Sequence, residues 1–315
     1  MDENKAEITR RRRVATAPVL ESLEGRRLMS AAPAQVGIKE VVKSGYNQLN
    51  ITGTNKGDKI TIDDNGSNTP GNVTVTLGDG TTYTSHAAVS VIELQDGSGA
   101  DNVTFNLTGT LVAPQSVLLS LGAGNDHFTG NIAGAIDSTN GLDLEVYGGA
   151  GNDMLKVNQT GPTLAGAFVP YLEGDAGNDT LVYSGTGTIA TGASVTPEFS
   201  GGAGNDKINA TYSGLIDGNY IYNLSADGGA GNDNIVYNVN VAAGSTGSVG
   251  TSASTPAAVE GGAGNDKIHF AVNVDPNAPA AQINAVAIGG AGKDTVARTA
   301  NVLGDPSDEK ISLIA

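Results

Sequence analysis

The chain has 315 residues, of which 45 are Gly, none is Cys or Trp and only 4% are aromatic, and it carries a formal net charge of −16. So few large side chains argue against an ordinary α/β core, and scarce Leu, Lys and Arg argue against long helices. Residues 31–315 hold 10 basic against 28 acidic groups, with Arg298 the one Arg, which makes a nucleic-acid partner a poor match.

The amino-terminal residues 1–34 read as a leader. They hold Lys5, Arg10 to Arg13, Arg26 and Arg27, then a short apolar run from Val14 to Leu20 and the small-residue tract Ala31-Ala-Pro-Ala34. A basic start, a brief apolar stretch and small residues beyond it are the parts of an export signal, and the apolar run is too short to span a bilayer. The string Leu20-Glu-Ser-Leu-Glu-Gly-Arg-Arg-Leu-Met-Ser-Ala31 resembles the LEPR-XLL segment of planctomycete surface and secreted proteins, with Gly25-Arg26 where that family has Pro-Arg. The resemblance implies placement outside the cell or on the bacterial surface.

Residues 35–95 form an expected β cap over the first coil. Val73-Thr-Val-Thr-Leu77, Gly78-Asp-Gly80 and Thr81-Thr-Tyr-Thr84 predict a hairpin with a glycine-rich turn. Within the same stretch, Gly53-Thr-Asn-Lys-Gly-Asp58 has the look of a decayed repeat.

From residue 96 one hexapeptide recurs eight times, and four copies read Gly-Gly-Ala-Gly-Asn-Asp without change. The copies close on Asp101, Asp126, Asp153, Asp179, Asp206, Asp233, Asp266 and Asp294, at separations of 25, 27, 26, 27, 27, 33 and 28 residues. After each Asp, apolar and polar residues alternate, as in Ile235, Tyr237, Val239 and Val241 or Ile268, Phe270, Val272 and Val274. The same alternation leads into each copy, as in Leu142, Leu144 and Val146 or Val195, Pro197 and Phe199. Period-two alternation marks strands with one buried face, so the hexapeptide is a turn joining two strands. A unit of about 27 residues cannot bury its apolar face alone, and stacking consecutive units buries it. The expected fold is therefore all-β, a right-handed parallel β-solenoid of the β-roll or β-helix kind with about eight coils over residues 96–300. Residues 301–315, with Pro306 and the acidic run Asp305 to Glu309, are expected to cap the other end.

Glycines at positions one, two and four of the turn permit positive φ and bring carbonyl oxygens to the surface, and the Asp adds a carboxylate. Coils about 4.8 Å apart place these carboxylates in a line whose mutual repulsion, about 1 kcal/mol per neighbour in water, opposes folding unless a cation lies between them. The Gly-Gly-x-Gly-x-Asp pattern resembles the RTX, or haemolysin-type, calcium-binding repeat over residues 96–296. The resemblance implies several Ca²⁺ ions, at most about seven, held between adjacent turns by the eight Asp carboxylates. It further implies carbonyl ligands at Gly122 and Gly124; at Gly148, Ala150 and Asn152; at Gly174, Ala176 and Asn178; and at Gly201, Ala203 and Asn205. The corresponding positions in the last three turns are Gly228, Ala230 and Asn232; Gly261, Ala263 and Asn265; and Gly289 and Ala291. Asp175, in place of the second Gly, is either an additional ligand or an outward side chain. Asp96 and Ala100 in the first copy predict weaker binding there, and Lys293 sets a positive charge beside the last Asp. Family members run nonapeptides in tandem with turns on both edges, whereas one hexapeptide per coil predicts a single ladder here.

No catalytic motif stands out. His86, His127 and His269 are far apart, and the sequence has no His-Glu-x-x-His, Gly-x-Ser-x-Gly or phosphate loop. The expected function is a calcium-stabilised structural or adhesive module, secreted or at the surface of a bacterium, with extracellular polysaccharide or other surface proteins as partners and no transmembrane segment. The competing expectation is a polysaccharide lyase or epimerase on the same solenoid, with Asp137, Asp143, Glu145 and Asp217 as candidate acids.

Overall fold

The computed structural model describes residues 35–299 apart from 138, 162, 191, 218–220, 251–255 and 279–280, together with 303–304 and 310–314. The leader and the acidic run at 305–309 lie outside these residues. Every regular element is a strand, and no helix among the described residues is long and apolar enough to cross a membrane.

Each coil contributes a strand to each of two sheets, and later coils add a further short strand to the first, such as Ser194–Val195 before Glu198–Ser200. Strands that lead into a hexapeptide, such as Gln115–Ser120, Gly141–Ala150 and Ala167–Ala176, lie side by side in chain order in one sheet. Strands that leave it, such as His127–Ile132, Met154–Gln159 and Thr180–Ile189, do the same in the other. Successive coils pair in parallel, as the alternation requires. The chain is thus an all-β parallel solenoid.

Register follows from the turn. The second residue after each closing Asp points inward, and these residues stack over one another as Ile60, Val103, Phe128, Leu155, Leu181, Ile208, Ile235, Ile268 and Val296. All are at most 2% exposed. Burying one such side chain contributes about 1.5–3 kcal/mol, so a row of them fixes the register against a one-residue slip that would turn every one outward. The core also encloses most of the chain's aromatic rings. All five Phe, together with Tyr183, Tyr212, Tyr222 and Tyr237, are fully buried. Between the two sheets an enclosed coil needs bulk at some levels, and the chain spends its few rings there. Tyr212 stacks on Tyr222 with centroids 4.8 Å apart, and Tyr237 meets Phe270 edge-on at 4.8 Å.

At the amino-terminal end, antiparallel pairs shield both sheet edges. Gly37–Lys43 folds back on Tyr46–Thr52, and Val73–Leu77 covers Lys59–Asp64 and then pairs with Thr82–Thr84. The expected hairpin turn is present, with Gly80 at φ 87° and its amide donating to the Leu77 carbonyl at 2.9 Å. At the other end, Lys310–Ile314 adds a parallel strand beside Thr295–Thr299.

Candidate metal centre

The hexapeptide turns stack as closely as the strands that flank them, and that closeness dictates their glycines. At position four, a Cβ on Gly151 would overlap the carbonyl oxygen of Gly124, and one on Gly177 that of Gly151. At position two the backbone is left-handed in every copy from Gly122 to Gly290, including Asp175 at φ 67°, the one non-glycine residue with positive φ among the described residues. Backbone amides knit the stack. The Gly151 amide donates to the Ala176 carbonyl and the Ala150 amide to the Gly122 carbonyl, at 2.8 and 2.9 Å, with equivalents along the array.

Two side-chain ladders run through the turns in opposite directions. Each closing Asp reaches back, its Oδ1 accepting from the amide of the preceding closing Asp. Asp126 accepts from the Asp101 amide at 2.7 Å, Asp153 from Asp126 at 2.8 Å, Asp179 from Asp153 at 2.7 Å, Asp206 from Asp179 at 2.7 Å and Asp233 from Asp206 at 2.7 Å. Asp266 and Asp294 continue the series at 2.8 and 2.9 Å. The position-five Asn instead reaches forward. Asn125 accepts from the Asn152 amide, Asn152 from Asn178, Asn178 from Asn205, Asn205 from Asn232 and Asn232 from Asn265, at 2.7 to 2.9 Å. Lys293 extends this ladder through its backbone, donating to Asn265 at 3.0 Å, while its side chain is exposed.

The eight Asp are brought into one buried row, each at most 3% exposed. In Asp101, Asp126, Asp153, Asp179, Asp206, Asp233 and Asp266, the second oxygen, Oδ2, is buried with no hydrogen-bond partner. Loss of water raises the pKa of all seven, against the lowering effect of the backbone amide that each accepts from. Asp126, Asp179 and Asp233 are pushed up to about 7, with the neighbouring carboxylates adding to the rise. Asp101, Asp153, Asp206 and Asp266 shift upward for the same first cause.

In five turns the unpartnered oxygen lies where a side chain at position one would collide with it. A Cβ on the position-one glycines Gly148, Gly174, Gly201, Gly228 and Gly261 would lie 2.5–2.7 Å from Oδ2 of the Asp closing the same turn. The carbonyl oxygen of the next turn's position-one glycine borders the same space, 3.0 Å away for Gly148 and 2.6 Å for Gly174. Position-one glycine is therefore the absence of a methyl group between two oxygens. Leu121 stands at this position in its turn and is fully buried in the core.

The family model for the RTX calcium-binding nonapeptide repeat (4 copies) matches residues 145–156, 171–185 and 198–211. The chain carries RTX calcium-binding repeats. The match spans the turns that close on Asp153, Asp179 and Asp206, and the same RTX geometry continues through Asp233 and Asp266. No curated protein and no solved structure matches the chain. A buried carboxylate oxygen without a donor, close to a carbonyl oxygen of the next turn, suits a hard cation that takes only oxygen ligands. The RTX turns fit calcium on that ground.

The remaining sequence candidates divide by location. Asp143 and Glu145 lie on the outer face of the strand Gly141–Ala150, while Asp137 is in the loop before it and Asp217 follows the strand Lys207–Ile216 at the loop edge. His127 is exposed. Sequence reading passed over Asp58 and Asp96 as metal ligands. The signal was present in the decayed copy Gly53–Asp58, which stacks in register beneath the first full turn, Thr52 beside Gln95 and Lys59 beside Asn102.

Proposed function

We propose that this chain is an exported bacterial structural or adhesive module whose solenoid is locked by Ca²⁺ between stacked RTX turns. The observation that carries this reading is the row of buried Asp Oδ2 atoms, seven of which have no partner. Metal-free, the row is an array of desolvated like charges that raises the free energy of the folded state. With an ion between the Oδ2 of one turn and the first glycine carbonyl of the next, the same row cross-links consecutive coils, the part that disulfides play in other secreted chains. The turns that open on Gly148, Gly174, Gly201, Gly228 and Gly261, where position one carries no side chain beside Oδ2, support regular sites on this reading. Low calcium inside the cell keeps the chain loose before export, and higher calcium outside completes the fold.

The test is far-ultraviolet circular dichroism and thermal unfolding in chelator, magnesium and calcium. Calcium is expected to raise β signal and melting temperature, and magnesium, which demands compact octahedral geometry, is expected not to. Equal folding in chelator and calcium would refute the proposal.

A second reading has one observation in its favour. Asp143, Glu145 and Glu198 gather on the outer face of the incoming sheet, beside Tyr147 and Tyr171 with ring centroids 5.7 Å apart. Burial, then the charges of Glu145 and Glu198, pushes Asp143 up to about 6. An enzyme acting on uronate polymers would use such a pairing of acids, and depolymerisation of alginate or pectate by the purified chain would establish it.

A further inference from the structure

We propose that Asp58, Asp96 and Asp101 form a further cation site, with more charge than any regular RTX interval, at the amino-terminal end of the turn stack. It rests on the calcium reading only for the identity of the ion.

One carboxylate oxygen from each of the three residues lies within 4.8 Å of those of both others. They come together because the segment Gly53–Asp58 stacks beneath Asp96–Asp101 as though it were one more RTX turn. Asp58 and Asp101 are consecutive members of the Asp ladder, with the Asp58 amide donating to Asp101 Oδ1 at 2.6 Å. Asp96 stands where the regular turns have their position-one glycine. Its side chain projects into the space above Gly53, where a Cβ on Gly53 would overlap Asp96 Oδ1 and approach its Oδ2 to 2.7 Å. In the regular intervals that space is bordered by a carbonyl oxygen. Here it holds a carboxylate.

The unpartnered oxygens point independently to a ligand. Asp101 is 1% exposed and its Oδ2 has no partner, and Asp96 Oδ2 is likewise buried and unpartnered. The opposite oxygens are pinned, Asp96 Oδ1 by the Gly97 amide at 2.9 Å and Asp58 Oδ2 by the Thr54 amide at 2.7 Å. The carboxylates are thereby fixed in position with acceptors to spare, and the lysines nearest in sequence, Lys56 and Lys59, are exposed. Three preorganised carboxylates in one small volume match a hard cation of high charge, and ligand charge count is what sets calcium affinity across natural sites. The Asp96 substitution, which reads in sequence as a lost glycine and a weaker site, makes this end of the array the tightest.

The test is calcium titration by calorimetry on the full chain, comparing wild type with Asp96→Gly, which restores the repeat consensus, and with Asp179→Asn in the regular ladder. Wild type is expected to show one step at least about tenfold tighter than the rest. Asp96→Gly is expected to lose that step and keep the others, while Asp179→Asn keeps the tight step and weakens uptake at its own interval of the regular ladder. If Asp96→Gly does not fold in calcium, Asp58→Asn takes its place and must lose the same step. Several ions taken up in one affinity class by wild type, or a tight step that survives removal of Asp96 or Asp58, overturns the proposal. A single ion whose binding depends on Asp96, with no further uptake, would instead refute the regular ladder and leave this site standing.

Discussion

Replacing Asp179 by Asn should change the stability of the protein in opposite directions with and without calcium. Asn retains an oxygen to accept from the Asp153 amide, so the backbone ladder survives, while one charge between Asp153 and Asp206 is removed. Neighbouring coils are about 4.8 Å apart. At that separation each neighbouring carboxylate repels by under about 1 kcal/mol in water and about 3 kcal/mol at an effective dielectric of 20. The turn edge lies between these limits, so with two neighbours the variant should gain about 2–6 kcal/mol in chelator. In saturating calcium it loses an anionic ligand. A tenfold weaker affinity at the interval that Asp179 Oδ2 shares with the Gly201 carbonyl costs about 1.4 kcal/mol, so the variant should lose about that much there. Urea unfolding followed by circular dichroism, in chelator and in millimolar calcium, reads both values. A variant that shifts the same way in both buffers would refute the reasoning, because the charge of Asp179 would then have no link to a cation.

The raised carboxyl groups also set a pH dependence. A carboxyl with a folded pKa above its unfolded value contributes stability at low pH and loses it as pH rises through the folded value. With Asp126, Asp179 and Asp233 near 7, stability in chelator should fall between about pH 4 and pH 7, while calcium affinity tightens over the same window as protons are displaced; urea midpoints and calorimetry at the two ends check both slopes. Gly177→Ala places a methyl group on the Gly151 carbonyl and should cost about 3 kcal/mol in chelator and calcium alike by urea unfolding. Asn178→Ala removes the acceptor for the Asn205 amide at an exposed position and should cost about 1 kcal/mol, independent of calcium, in the same measurement.

The repeat made the solenoid legible because spacing and alternation are both carried by single residues: the interval between closing Asp residues gave the coil, and Ile235, Tyr237 and Val239 gave its inner face. What stayed hidden depended on contacts between coils. Nothing in the string Gly-Gly-Ala-Gly-Asn-Asp tells that the Asp reaches back and the Asn forward, since both side chains can accept from an amide. The role of position one was hidden for the same reason, because the oxygen facing Gly148 belongs to Asp153 and the one opposite to the next coil. Alternation placed Phe199, Tyr237 and Phe270 on the inner face, but composition alone counts aromatics without saying where they lie, and five Phe suffice when every one is enclosed.

The opposed reach of Asp and Asn gives the five turns from Gly148 to Asp266 the same upper and lower face. A turn receives an Asp oxygen from one neighbour and an Asn oxygen from the other, whichever copies those neighbours are. Duplication of one coil in the gene would thus insert a segment that already fits on both sides, with no compensating substitution at either junction. Array length is then free to drift by whole coils while the two ends stay as they are, and four identical hexapeptides in one chain are what such a history leaves behind.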